Sequence, residues 1–217
     1  MPTFNPDNFL VRWLVKYFNM LLALLLWLVC CVPVITIGAS STAYSAVLMR
    51  IVRENDDIAV FRHFFRSFAV NFRQATIVWI ILALASAVGL LDLYAFRNVL
   101  VEASTIRSVL VIAVLFLCGC LLTVMIYVFP VIARFQVTIK QAFRNGLVMG
   151  FRNLPATILF VGMLFFCIVV LYKLEMFAPF LIALVMYMMA VMFVKIFAPF
   201  DGTQKDRKRA EQGDQVG

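Results

Sequence analysis

The side chains that could carry chemistry are few. His63 is the one histidine, flanked by Arg62 and Phe64, with no carboxylate or thiol at metal-ligand spacing. Ser40, Ser41, Thr42 and Ser45 crowd the segment TIGASSTAYSA and form the nearest thing to a nucleophile cluster. A hydrolase serine would need a sharp Gly-x-Ser-x-Gly elbow and a base beside it, and neither is present in the sequence. Small residues here suit a chain turn at Gly38, a helix cap at Ser40 or Ser41 and close helix packing. Asp56 and Asp57, after Glu54 and Asn55, make a short acidic run without the regularly spaced oxygen ligands of a calcium or magnesium loop. Cys30, Cys31, Cys118, Cys120 and Cys167 all lie in apolar runs and read as small apolar residues. The sequence therefore predicts no enzyme, no metal site and no cofactor. Nothing in it resembles a nucleic-acid module.

The elements that must hold these residues belong to a membrane. Of 217 residues 65% are hydrophobic and only 14% charged, and the mean hydropathy is +1.01, whereas a soluble chain is roughly 45–50% apolar and about 25% charged. About 20 apolar residues cross the hydrocarbon core. Five stretches qualify, near 17–35, 75–91, 109–133, 156–172 and 177–197. The expectation is an all-α polytopic membrane bundle, residues 1–200 in one domain, with a polar, basic, disordered tail at 201–217.

The net charge of +8 is distributed unevenly. Fourteen of the nineteen Lys and Arg fall after the first span, after the third span and from Lys195 onward; five, Arg12, Lys16, Arg97, Arg107 and Lys173, fall on the other side. The positive-inside rule then puts both long loops and the C-terminus in the cytoplasm and the N-terminus outside. Arg12 and Lys16 before an apolar run also resemble a signal peptide, a reading that would leave an Arg-rich segment outside the cell. Asn5 and Pro6 suit a helix start, followed by Phe9, Leu10, Trp13, Leu14 and Tyr17 on an interfacial face.

Each long loop carries a basic amphipathic elbow. On a helical wheel Arg62, Arg66 and Arg73 fall within about 40° of one another, while Phe61, Phe64, Phe65, Phe68 and Phe72 share another face. The second elbow places Phe135, Ile139 and Phe143 beside Lys140 and Arg144, with Arg152 following. Such helices lie in the membrane surface with rings down and cations at anionic headgroups, or dock on a partner. The two loops also align: PVIT from Pro33 with PVIA from Pro130, Arg62 and Arg66 with Lys140 and Arg144, Ala75-Thr76 with Ala156-Thr157. A weak two-span repeat follows, units 17–95 and 109–175 plus a last span at 177–197. Chance likeness of apolar sequence is the alternative.

The segment NMLLALLLWLVCCVPVITIGASSTAYSAV, followed by FFRSFAVNFRQAT, resembles the YesL-like family of small bacterial membrane proteins of unknown function. Asn19, Trp27, Pro33, Thr36, Gly38, Ala39, Ser40 and Ala43 carry the first half of the likeness. Phe65, Phe68, Asn71, Phe72, Gln74, Ala75 and Thr76 carry the second. The resemblance implies a bacterial plasma-membrane protein associated with carbohydrate importers of the ATP-binding-cassette (ABC) type, with importer permease or ATPase subunits as partners. It supplies no catalytic residues. Importer permeases carry a Glu-Ala-Ala loop with a later glycine and Leu-Pro; here Lys140-Gln141-Ala142, Gly146 and Leu154-Pro155 depart from it by a charge reversal and an early Leu-Pro. The reading is a noncatalytic accessory protein of an oligosaccharide importer. The alternative is a small autonomous permease or channel acting as a homo-oligomer.

Overall fold

A computed structural model describes residues 9–53, 59–98, 105–135, 137–173 and 178–213. Among these residues the chain forms seven α-helices and one short 3-10 turn, with no strand. The helices are α1 (Phe9–Cys31), α2 (Ile37–Arg53), α3 (Val60–Asn98), α4 (Thr105–Arg134), α5 (Ile139–Arg152), α6 (Leu154–Lys173) and α7 (Ala178–Gly213). Five, α1, α2, α3, α4 and α7, are long and apolar enough to cross a membrane; α2 is not among the expected stretches, and the expected fourth span, 156–172, falls in α6, which with α5 forms a sixth apolar element bent by 98°. This is a polytopic membrane helical bundle. Outward faces of α1, α3, α4 and α6 present Leu28, Leu84, Phe116 and Phe165, all more than half exposed, as lipid-facing helices do.

α1 takes in both the expected interfacial lead and the first span as one helix; Asn5 and Pro6 lie outside the described residues. It ends two residues before Pro33, because proline disfavours helical backbone in the residue preceding it. A 3-10 turn, Val34–Thr36, follows. The Thr36 hydroxyl sits within 2.5 Å of the Cys30 carbonyl and 2.6 Å of the Pro33 carbonyl, so the Cys30 carbonyl at the end of α1 gains a donor.

The small-residue segment that suggested a turn at Gly38 and a cap at Ser40 or Ser41 is instead the body of α2, the most buried helix in the bundle. The turn lies upstream, at Pro33. Ser40, Thr42 and Ser45 donate to the carbonyls of Thr36, Gly38 and Ser41, four residues back, at 2.8–2.9 Å. These bonds remove the cost of burying hydroxyls and let a polar-looking sequence pack as a core helix.

α2 runs back beside α1, with the Trp27 indole donating to Ser41 Oγ at 3.2 Å. It then pairs antiparallel with α3: Val34 meets Trp79, Gly38 meets Ala75, and Arg50 meets His63. α3 is continuous over 39 residues, so the first basic elbow and the second span are one helix. No Pro or Gly interrupts it before Gly89. Phe64 of the elbow is fully buried against α1 and α2 rather than dipped into lipid, whereas Phe61, Phe65 and Phe72 remain exposed.

The second elbow is broken from its span. Between Arg152-Asn153 and Ala156-Thr157 the chain inserts Leu154-Pro155, where the first copy passes directly from Arg73-Gln74 to Ala75-Thr76. Pro155 has no N–H and its ring crowds the preceding turn, and the axis bends by 98° there. The two repeat-like units differ further in that α2 stands between Pro33 and the first elbow, while α5 follows Pro130 after a short connection. α4, α6 and α7 meet in an aromatic cluster of Tyr127, Phe160 and Phe193, with ring centroids 4.6–5.7 Å apart. The tail expected to be disordered continues α7 through Gly213; its Lys, Arg, Glu, Gln and Ala are good helix formers. The acidic run at 54–58 and residues 214–217 lie outside the described residues.

Candidate functional site

Both halves of the sequence motif are on α1 through α3, and the fold places them against each other. Gly38 lies on α3 so closely that an added Cβ would collide with the Ala75 carbonyl oxygen and stand 2.6 Å from Trp79 Cβ. Ala39 and Ser40 are fully buried beside it, and Ala75 is fully buried opposite. The Trp79 indole closes the contact by donating to the Val34 carbonyl at 2.9 Å. Pro33 and Thr36 thus set the turn, Gly38 admits the α3 backbone, and Ala75 supplies the smooth surface it meets. Thr76 is buried with its hydroxyl unpartnered among the described residues. Asn71 bonds the Ser67 carbonyl at 2.9 Å within its own helix. Phe72 stacks at an angle on Phe68, centroids 5.3 Å apart. Asn19 and Trp27 are half-buried on α1.

Gln74 joins this region to the other elbow. Its Nε2 donates to the Val137 carbonyl at 2.6 Å, which pins the connection between α4 and α5 to the middle of α3. Thr138 N–H in turn donates to Gln141 Oε1 at 3.0 Å and starts α5. Arg62, Arg66, Arg73, Lys140, Arg144 and Arg152 are all exposed. The junction brings the Arg73 end of one elbow to the Lys140 end of the other. Arg152 stands at the far end of α5, roughly 18 Å along the axis from Lys140, next to Gly150, which packs on Thr123 and Tyr127 in mid-α4.

The importer-like positions of α5 are occupied with packing. Ala142 is fully buried, and Gly146 faces the α4 backbone at Val128. Gln141 caps the helix. His63 Nδ1 lies 2.9 Å from Arg50 Nη1; a guanidinium can only donate, so Nδ1 is the acceptor and His63 ties the end of α2 to the start of α3.

Sequence reasoning gave no signal for a half-open cavity of about 410 Å³ between α1, α2, α4 and α7, with contributions from α3 and α6. Its walls are apolar apart from Ser41, Ser45, Tyr44 and the Trp27 and Trp79 rings. Four methionines, Met49, Met125, Met186 and Met189, line it. Residues from six helices build it, and contacts at that range leave no local pattern.

No curated protein and no solved structure matches the chain. A family model does match, and it covers the motif-bearing helices. Residues 20–93, the segment that folds the Pro33 turn and Gly38 onto Ala75, match the model of the family described as protein of unknown function DUF624, the YesL-like family.

Proposed function

We propose that this multi-pass membrane protein is a noncatalytic accessory subunit that associates with an ABC-type carbohydrate importer in a bacterial plasma membrane. The importer comes from the family resemblance. The observation that supports a docking role is the pairing of two exposed basic elbows through the Gln74–Val137 hydrogen bond, which makes one structured basic junction at a helix-packing interface. Arg73, Lys140 and Arg144 hold this junction at anionic headgroups or at partner acidic groups, with Arg66 and Arg62 roughly 10 and 17 Å back along α3 and Arg152 farther along α5. The N-terminus is outside and the C-terminus cytoplasmic in this reading. The turn after α1, the start of the apolar stretch of α3 and the end of α4 are held together by the Gly38, Trp79 and Gln74 contacts.

The test is recovery of importer subunits with the protein from native membranes in mild detergent, compared between the natural chain and Arg62→Glu/Arg66→Glu. Stoichiometric importer subunits, lost in the variant at unchanged thermal stability, support the reading. Recovery of the protein alone as a defined oligomer, with solute flux in liposomes that contain nothing else, would replace it with the autonomous permease or channel.

A further inference from the structure

We propose that the outward face of α5 is a binding site for one anionic phospholipid, with the phosphate held by Lys140 and Arg144 and an acyl chain lying along Leu147, Val148 and Phe151. The inference rests on the basic junction of the docking reading and commits the α5 half of it to lipid.

The buried residues of α5 are Ala142, Gly146, Met149 and Gly150, the side on which it meets α4. On a helical wheel Lys140, Arg144, Leu147, Val148 and Phe151 fall within about 100° of one another on the opposite side. All five are exposed. Along the helix they are sorted by polarity, with the two cations first and the three apolar side chains after them. Arg152 is about 80° round from Arg144 and has an interaction of its own.

The packing on α4 sets the depth of this face. Gly146 faces Val128 and Gly150 faces Thr123, roughly 9 and 16 Å back from Arg134 along α4. Arg134 closes the apolar segment of that helix, Val111–Arg134. α5 therefore descends from the charged end of the segment toward its middle, and the order of its outer face, cations and then apolar groups, is the order of a phospholipid from headgroup to chain. The anion is called for by charge. α4, α5 and α6 contain no Asp or Glu, and neither do residues 58–91 of the other elbow, so the elements that form the junction supply cations and no carboxylate. The Gln74–Val137 bond adds the field of Arg73 to the same end. An acidic peptide would match the cations alone, whereas Leu147, Val148 and Phe151 lie beside hydrocarbon-depth positions of α4, where an acyl chain is already present.

The test uses delipidated full-length protein in mild detergent, titrated with a C16 phosphatidylglycerol or the C16 phosphatidylcholine, with retained lipid counted by native mass spectrometry. One phosphatidylglycerol should be retained at concentrations that leave phosphatidylcholine unbound. Lys140→Gln/Arg144→Gln should raise its apparent Kd about thirtyfold, each basic residue near an anionic headgroup being worth roughly fivefold. Arg62→Gln/Arg66→Gln removes the same charge from the other elbow and should leave the affinity near that of the parent. Val148→Ser/Phe151→Ser should weaken the C16 lipid without changing the response to a short-chain phosphatidylglycerol. All of these positions are exposed, so the unfolding temperatures should stay near that of the parent, which thermal scans check. Equal losses in the two charge variants would overturn the site in favour of diffuse attraction, and equal retention of phosphatidylcholine would overturn the anionic ligand. An unchanged C16 affinity in the serine variant, or displacement of the lipid by equimolar glycerol phosphate, would overturn the chain contact and leave a site for free phosphate. No importer is present in this assay, so loss of importer recovery with lipid retention intact refutes the docking reading alone.

Discussion

Replacing Gly38 with alanine adds one methyl group where the structure has no room for it. The new Cβ would meet the Ala75 carbonyl oxygen and come within 2.6 Å of Trp79 Cβ. Neither neighbour is the loose end of a side chain, so α2 and α3 must separate. Overpacking costs about 1–3 kcal/mol, and a rigid backbone neighbour puts this case at the upper end. The better helix propensity of alanine offsets about 1 kcal/mol, leaving a net loss of about 2 kcal/mol. For a chain of this size that is a fall of roughly 4–8 °C in Tm. Separation of the helices also breaks the 2.9 Å bond from the Trp79 indole to the Val34 carbonyl, so tryptophan emission should shift in the folded state. Thermal unfolding in detergent, followed by circular dichroism and fluorescence, reads both effects. Gly119→Ala and Gly162→Ala are the internal controls: an added Cβ at either has nothing within 4 Å, and propensity alone predicts a neutral effect or a gain of up to about 1 kcal/mol. A Gly38→Ala protein as stable as the parent, with unchanged emission, would refute the close α2–α3 contact.

Gln74→Leu removes the 2.6 Å bond to the Val137 carbonyl and should cost about 1–2 kcal/mol; limited proteolysis between α4 and α5 should accelerate, and an unchanged cleavage rate would count against the pinned junction. Thr36→Val keeps the side-chain volume but deprives the Cys30 and Pro33 carbonyls of their shared donor, with an expected loss of about 1 kcal/mol by chemical denaturation. Tyr127→Phe should cost less, near 0.5 kcal/mol, because Thr157 keeps its bonds to the Gly150 and Asn153 carbonyls. A single cysteine at the exposed position Arg53, in an otherwise cysteine-free chain, should resist a membrane-impermeant maleimide in intact cells and react after lysis. Labelling from outside would make α2 a full crossing and reverse the assigned side.

What the sequence made legible was whatever rests on long apolar runs and on local stops. The membrane class, the helical content and the break at Pro33 follow from hydropathy and proline chemistry alone. α2 was not legible, because Ser40, Ser41, Thr42 and Ser45 lower its hydropathy below that of the other apolar helices. Their cost is cancelled by bonds to carbonyls one turn back, which a hydropathy sum does not contain. The elbow at Ile58 to Arg73 was legible as an amphipathic helix but not as the first half of α3. Nothing in its own residues says whether Phe64 faces lipid or another helix; that is decided by α1 and α2. The motif residues were legible as a set, but their common purpose, closing Gly38 onto Ala75, depends on partners 37 residues apart.

The same reasoning accounts for why two similar elbows end up different. Both start from a basic, Phe-bearing helix that precedes an apolar span. In the first, Arg73-Gln74-Ala75-Thr76 keeps every backbone N–H, and α3 runs straight through, so Gly38 can lie along an uninterrupted surface. In the second, Leu154-Pro155 costs the helix a donor and forces the bend. The bend turns α5 along α4, where Gly146 and Gly150 allow close approach, and sends α6 off toward α7. Thr157, just past the break, donates back across it to the Gly150 carbonyl at 3.0 Å and meets the Tyr127 hydroxyl at 3.1 Å, so the acceptors exposed by the break are satisfied inside the bundle. A two-residue insertion thus converts a rod into a bracket around the end of α4. That bracket holds Tyr127 against Phe160 and Phe193, and Phe193 is also a wall of the cavity, so the aromatic cluster behind the bend forms part of the cavity's lining.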